Sequence, residues 1–335
     1  MRRARLEVNY QGANISAEVS RDMLSFTFSE KSDRQADEIS LTLADRDALW
    51  QGEWAVNHGD VVRPILYFEN WFTPGDRFKL DCGAFEVDED ELACGSGGDV
   101  VTIKALPAAV SAALSAERKT RPWENVSFER VAADIAAAAS LTPVYEAPEI
   151  LFKRVEQRQE SDLAFLQRLA SEQGCRLRVA LDNLVIYQGK NADAAPPLLL
   201  RRADGGSLTA RRGKCEVYKA AVLKYTDAAS GKTMKYTATL DNAPDTAKTL
   251  NLNKKVEDAA QAQRVAFAEL RNKNSQGRTA EFQGQAQPLA RAGGTVKLQG
   301  WGAYDGLYSI AEASLTLRAD GAAESRLSLV AALEY

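Results

Sequence analysis

The stretch ESDLAFLQRLASEQGCRLRVALDNLVIY, Glu160 to Tyr187, is the most regular passage in the chain. Ser161 and Asp162 suit a helix start, because an oxygen on a short side chain accepts a bond from an orphan N–H of the first turn. Leu163, Leu166, Leu169 and Ala170 then recur at helical spacing and form one apolar face. Gly174 ends the helix, since glycine tolerates the left-handed conformation of a C-terminal cap. Beyond it Cys175, Leu177 and Val179 alternate with Arg176 and Arg178, the period of a half-buried strand. Asp182-Asn183 supplies a turn, and Leu184 to Tyr187 the return strand. A helix over 162–173 and a hairpin over 175–187 are expected. Taken alone they form a packing unit with no site.

On the N-terminal side the character changes in two steps. Residues 107–148 are alanine-rich, with helices expected over 107–116 and 126–140. In the second, Phe128, Val131, Ala132, Ile135, Ala138 and Ala139 make one apolar stripe. Further out, from Leu6 to about Leu106, strand signals dominate: LEVNY, LSFTFSE, EISLTLAD, VVRPILYF, FKLDCGAFEVDE and DVVTIKAL. Trp71 to Gly75 marks a long hairpin tip with a Pro-Gly turn. On the C-terminal side NADAAPP is a linker ending near Pro197. Strand patterning returns in CEVYKAAVLKYTD and MKYTATL, is interrupted by a long helix over about 253–274, and then continues. The expected organisation is mainly β with an α+β insertion: a β domain over 1–106, an α+β domain over 107–197, and a second β domain over 198–335.

The two β-rich regions share an order of elements. GDVVRPILY (Gly59 to Tyr67), DCGAFEVDEDEL (Asp81 to Leu92) and GGDVVTIKA (Gly97 to Ala105) stand in the first. GGTVKLQGW (Gly293 to Trp301), YDGLYSIAEASL (Tyr304 to Leu315) and AESRLSLVA (Ala323 to Ala331) stand in the second. Gly83, Phe85 and Val87 align with Gly306, Tyr308 and Ile310, although the spacer after the first element differs in length. One small β-barrel is expected to occur twice.

A length of 335 residues, 45% of them hydrophobic and 26% charged, fits a soluble globular protein of two or three domains. MRRARLEVNY lacks the apolar core of a signal peptide, and no run is long enough to cross a bilayer, so synthesis and retention in a cytoplasm are expected. The net charge of −4 supplies no field for nucleic acid. Arg201-Arg202 and Arg211-Arg212, the densest basic spots, fit a solvated surface. Cys82, Cys94, Cys175 and Cys215 form no CxxC pair and are expected as free thiols, although Cys82 and Cys94 could face each other across a hairpin.

Catalytic chemistry has little to stand on. His58, in VNHGD, is the single histidine, so no zinc set is expected. The acidic run Glu86 to Glu91 offers carboxylates without a substrate platform and fits a solvated face. Gly95 to Gly98 lacks the lysine and the following helix of a phosphate loop. No catalytic, cofactor or metal residue is expected.

Collinear stretches resemble the late control gene D family, the baseplate hub proteins of contractile phage tails. The central helix and hairpin resemble that family's signature. VNYQGANIS, ADEISLTLAD leading to Trp50, RPWENVSFERVAADIAAAASLTP and YDGLYSIAEASLTL follow in the family's order. Arg201 to Gly213 is richer in arginine than that pattern.

The resemblance implies two tail-tube-like barrels per subunit and a homotrimer. One face would be pseudo-sixfold toward a hexameric tail tube protein, and the other threefold toward a central spike protein. It further implies contacts with tape measure and baseplate wedge proteins, no sequence-specific nucleic acid, no stable membrane binding, and a place in a virion baseplate or tail-like particle assembled in the bacterial host cytoplasm. The hub of a type VI-like or extracellular contractile injection system is the alternative, and a cell-wall-degrading tail enzyme the reading from another class. The chain's end at Tyr335 directly after the last barrel leads one to expect the spike as a separate polypeptide. Within this picture Trp71 and Phe72 are candidate subunit contacts, and Asp88, Asp90 and Glu91 candidate acidic groups facing a lumen.

Overall fold

The computed structural model describes residues 2–32, 37–108, 114, 117–180, 183–188, 196–213, 217–226, 231–239, 248–254, 256 and 258–332. The first β-rich region contains β1 (Arg3–Tyr10), β2 (Ala13–Asn14), α1 (Ser16–Asp22), β3 (Met23–Lys31), β4 (Glu38–Ala44), β5 (Val61–Glu69), β6 (Arg77–Asp81), β7 (Phe85–Ala93) and β8 (Val100–Pro107). Alternation of apolar and polar residues puts Phe26, Phe28, Ile39, Leu41, Val101 and Ile103 on one face. That face meets Leu6 and Val8 of β1, Leu66 and Phe68 of β5, and Leu80 of β6 in a single core. The sheet is therefore folded over its own apolar side.

The middle region holds β9 (Lys119–Ser127), α2 (Phe128–Ala138), β10 (Thr142–Glu146), β11 (Leu151–Glu160), α3 (Asp162–Glu172), β12 (Arg176–Ala180) and β13 (Asn183–Tyr187). Ser161 caps α3 by accepting from Ala164 N–H at 3.2 Å, and Ser127 caps α2 by accepting from Arg130 N–H at 3.1 Å. β10, β13 and β12 form one small sheet; β9 and β11 form an antiparallel pair. Residues 119–125, for which no element was expected, become a strand because β11 provides a ladder from further along the chain. Asp162 is only 2% exposed. Lys119 Nζ donates to it at 2.8 Å, Gln157 Nε2 at 2.9 Å, and Arg121 also bonds it. These contacts tie β9, β11 and α3 together. Of the helix expected over 107–116, β8 takes Pro107, and residues 109–113 and 115–116 lie outside the described residues, as does Asp182 of the hairpin turn.

The last region contains β14 (Leu198–Arg201), β15 (Ser207–Arg212), β16 (Tyr218–Thr226), β17 (Thr233–Thr239), β18 (Lys248–Leu252), α4 (Ala259–Ser275), β19 (Arg278–Gln285), β20 (Thr295–Gln299), β21 (Gly306–Arg318) and β22 (Ala323–Ala331). The strand patterning at 218–226 and 233–239 is realised as β16 and β17, which lie apart from the main sheet. β16 and β17 pair with β18 in a separate three-stranded sheet that packs on α4. α4 also meets the end of α3: Arg264 donates to Gln173 Oε1 at 2.8 Å. Gly174, at φ +70°, lies so close that an added Cβ would sit 2.8 Å from Arg264 O. Glycine is demanded there by space as well as by the cap.

The two outer β regions join in one sheet, with the order β15-β19-β22-β21-β3-β4-β8-β7-β5-β1-β2. The mainly β class with a few helices is as expected. The strands of both halves follow one path, and closure of either half into a barrel is not detected among the described residues. β21, with 13 residues, is long enough to pair within the second half and with β3 of the first.

Candidate assembly interface

The internal repeat survives at the level of single hydrogen bonds. Gly59 N–H donates to Val87 O at 2.8 Å, and Val87 N–H returns a bond to Asp60 O at 2.9 Å. In the other half Gly293 N–H donates to Ile310 O at 2.8 Å, and Ile310 N–H to Gly294 O at 2.8 Å. Gly59 and Gly293 hold φ +88° and +83°, a conformation open mainly to glycine. Val62 faces Phe85 as Val296 faces Tyr308, and Phe85 and Tyr308 are both fully buried. β7 slips against β8 between Val87 and Glu89, and β21 slips against β22 between Ile310 and Glu312. A β-bulge at the same residue of both copies, one that re-phases every side chain after it, marks one frame used twice. The frames diverge at their margins: β1 runs antiparallel to β5, whereas β14 runs parallel to β20.

The halves meet along β21 and β3, from Glu312 opposite Lys31 to Arg318 opposite Ser25. Leu315 and Leu317 enter the first core beside Phe26 and Phe28. On the opposite face Thr27 and Thr316 Oγ1 atoms lie 3.0 Å apart, and Ser29 and Ser314 Oγ atoms 2.9 Å apart. The middle region braces this seam. Arg178 of β12 donates to Glu30 Oε1 at 2.9 Å and to Ala292 O at 2.7 Å, and Tyr187 Oη donates to Ser32 O at 3.0 Å. Burial pushes the Asp37 carboxyl up to about 6, with the Arg178 charge opposing it. Sequence reading saw Arg178 only as the polar side of a strand; its carboxylate lies 148 residues away, with no local signal.

The two aromatic residues at the hairpin tip part company. Trp71 is 4% exposed: its ring packs edge-on to Phe68, and its Nε1–H donates to Ala286 O at 2.7 Å in the other half of the chain. The Trp71 indole thus closes a seam within the chain. Phe72 is 41% exposed and leans on Phe78.

The acidic run is also divided. Asp88 is the bulged residue. Glu91 faces Thr102 on the polar side of the sheet, while Asp90 faces Ile103 on the core side. The period of two allows nothing else for neighbours on one strand. Asp88, Asp90 and Glu91 are all exposed. Asp90 lies 3.1 Å from His58 Nε2, and Glu89 is paired with Lys104 at 3.1 Å. Among the described residues, Glu89 to Ala93 pair on one side only, with β8.

A shallow depression near β1 is lined by Tyr10, Glu18, Trp50, Trp54 and Asp60. Burial and the hydrogen bond to Asp60 raise the Tyr10 hydroxyl to about 12. Bonds from Tyr10, Gln11 and Asn57 bring Asp60 down to about 2. Neither group changes charge near neutrality, so this pair supplies no general acid or base there. Cys82 and Cys175 are buried free thiols and Cys94 an exposed one; Cys215 lies outside the described residues. Among the described residues no cluster of histidine, cysteine or carboxylates is placed to hold a metal, and no helix is long and apolar enough to cross a membrane.

Comparison with known proteins gives this architecture a family. Residues 97–321 match the model of the phage tail baseplate hub (GPD) family. The "Probable baseplate hub protein" of Escherichia phage 186 is 26% identical over 201 residues, covering 57% of this chain and 48% of that protein. The chain thus spans about half the length of the curated relatives it matches. Among solved structures, the 43 kDa tail protein of prophage MuSo2 from Shewanella oneidensis shares the fold, with a TM-score of 0.72, 15% identity and 98% coverage of both chains. The E. coli c3393 protein, a component of the type VI secretion system, is similar with a TM-score of 0.56 and 14% identity over 93% of this chain and 74% of that one. With the family model matching most of the chain, and with the fold and repeat described above, this protein belongs to the phage tail baseplate hub family.

Proposed function

We propose that the chain is a structural subunit of a baseplate hub, three copies of which form a ring. In that ring the duplicated frames give six similar modules, which match a hexameric tail tube, while the threefold arrangement of whole chains matches a trimeric central spike. The observation that carries this reading is the shared frame itself: the same glycine, the same cross-strand bonds and the same bulge at Val87 and Ile310. Closed rings need repeating interfaces around the axis, and a chain with two equivalent modules converts three into six without a second gene product. Tape measure and wedge proteins are the further partners, and the particle is assembled in the bacterial host cytoplasm. The role is one of assembly, not catalysis. The polar side of the shared sheet, including Glu91, faces the lumen, and Phe72 at the hairpin tip is available to a neighbouring protein. A phage tail is favoured over a type VI machine because the likeness to the prophage tail protein is the closer of the two folds.

Native mass measurement and electron microscopy of the purified chain, alone and with its spike, test the reading. The expected result is a trimer whose six modules lie at one radius. A dimer, or modules at unequal radii, would overturn it.

A further inference from the structure

The internal seam is a template for an external one. Three steps of strand pairing align the halves. Val87 faces Ala105 and Ile310 faces Leu329; next along the sheet Ala105 faces Ile39 and Leu329 faces Ala280. One strand further, Ile39 faces Phe28 and Leu41 faces Phe26, while Ala280 faces Ala210 and Phe282 faces Leu208. β15 therefore occupies in the second half the place of β3 in the first, with Leu208 and Ala210 standing for Phe26 and Phe28. The end of β7 likewise stands for the end of β21: Asp90, Glu91, Leu92 and Ala93 for Ala313, Ser314, Leu315 and Thr316.

β21 and β3 are joined in one chain, but their counterparts are not. β7 beyond the bulge lacks a second neighbour among the described residues, and β15 pairs with β19 alone. We propose that β7 of one copy pairs antiparallel with β15 of the next copy in the register that β21 and β3 use inside the chain. This rests on the ring reading above and names the surfaces that close the ring.

The transferred register sets Leu92 opposite Ala210, Ala93 opposite Thr209, Glu91 opposite Arg211 and Asp90 opposite Arg212. Leu92, 45% exposed in the single chain, takes the place of the buried Leu315. The acidic run and the arginine pair, which have no joint role within one chain, become facing charges. Arg211 is exposed, and Arg212 reaches Ala303 O at 3.1 Å and the Tyr304 ring at the margin of the same edge. Charges on an open edge ordinarily discourage pairing. Here they discourage only self-pairing, since β7 against β7 sets acid on acid, while β15 carries the complementary sign. Contacts are head-to-tail, and the eight-strand path from β15 to β7 of each of three chains then closes on itself.

The test uses the full chain. Ala93→Cys and Thr209→Cys, combined with Cys94→Ser, place thiols where Thr316 and Thr27 bring their Oγ1 atoms to 3.0 Å. Mild oxidation is expected to give disulfides between copies, up to a cross-linked trimer, with neither single cysteine variant doing so. In a second arm Arg211→Glu is expected to raise the trimer's dissociation constant by about tenfold, and adding Glu91→Arg to restore it to within about threefold. Both positions are exposed, so unfolding midpoints of the monomer should not move. A trimer that forms no 93–209 disulfide, or a charge reversal that the second substitution fails to rescue, overturns the proposed register and leaves the ring reading standing. A chain that is monomeric at every concentration overturns both.

Discussion

The far ends of β7 and β21 begin from one frame and finish in opposite surroundings. After the shared bulge β21 continues as Ala313-Ser314-Leu315-Thr316-Leu317, whose apolar members enter the first core beside β3. β7 continues as Asp90-Glu91-Leu92-Ala93, exposed throughout. The two strands share a backbone frame and differ in hydropathy, and the apolar one has a second partner strand within the chain. A strand covered during its own folding can be apolar. One that must remain soluble until a second molecule arrives has to carry charge.

The comparison is broken first at the frames themselves. Tyr308→Ala and Phe85→Ala should each cost about 3–5 kcal/mol, since each removes a fully buried ring. Urea unfolding monitored in each half measures it; a cost below about 1 kcal/mol for either would mean that the frames are alike in shape and not in energy. Next comes the pair after the bulge. Leu315→Ala should destabilise the isolated chain by about 3 kcal/mol, and Leu92→Ala by no more than about 0.5 kcal/mol. Equal losses would deny that the β7 end is unpartnered in one copy.

The smallest effect lies where β3 ends. Glu30 is buried against Arg178, whereas its counterpart Arg212 on β15 is exposed. Asp37, buried by the same seam, titrates at about 6 instead of its ordinary 3.8. Between those values the folded chain keeps a proton that the unfolded chain has released. Stability present below pH 3.8 is therefore lost as pH rises through about 6. Asp37→Asn, which retains an acceptor for Lys31 N–H, should flatten that slope and raise stability at neutral pH. Thermal midpoints across this range would check it, and an unchanged slope would place the titration elsewhere.

Much of this was legible in the residues, for reasons of range. Ser161 and Gly174 act within one helical turn, so the central helix was found at 162–172 against an expected 162–173. Gly83, Phe85 and Val87 aligned with their counterparts because a period of two and a glycine turn survive in linear order. The split of Asp90 from Glu91 across the two faces also followed from strand period, although grouping them as one acidic patch passed it over. Trp71 was different. An aromatic residue at a hairpin tip looks exposed in sequence, and its partner Ala286 is 215 residues away. The same distance effect hid the pairing of β9 with β11 and the separate sheet on α4.

Amino-acid order alone determined the β–α+β–β succession, the caps of the central helix and the doubling of one strand frame, because each follows from residues a few positions apart. Tertiary structure alone decided that the doubled frames fuse along β21 and β3, that Arg178 locks the seam, and that the acidic and arginine-bearing strands remain at opposite edges. Those outcomes depend on which ladders are already occupied when distant strands meet, and no local pattern carries that information.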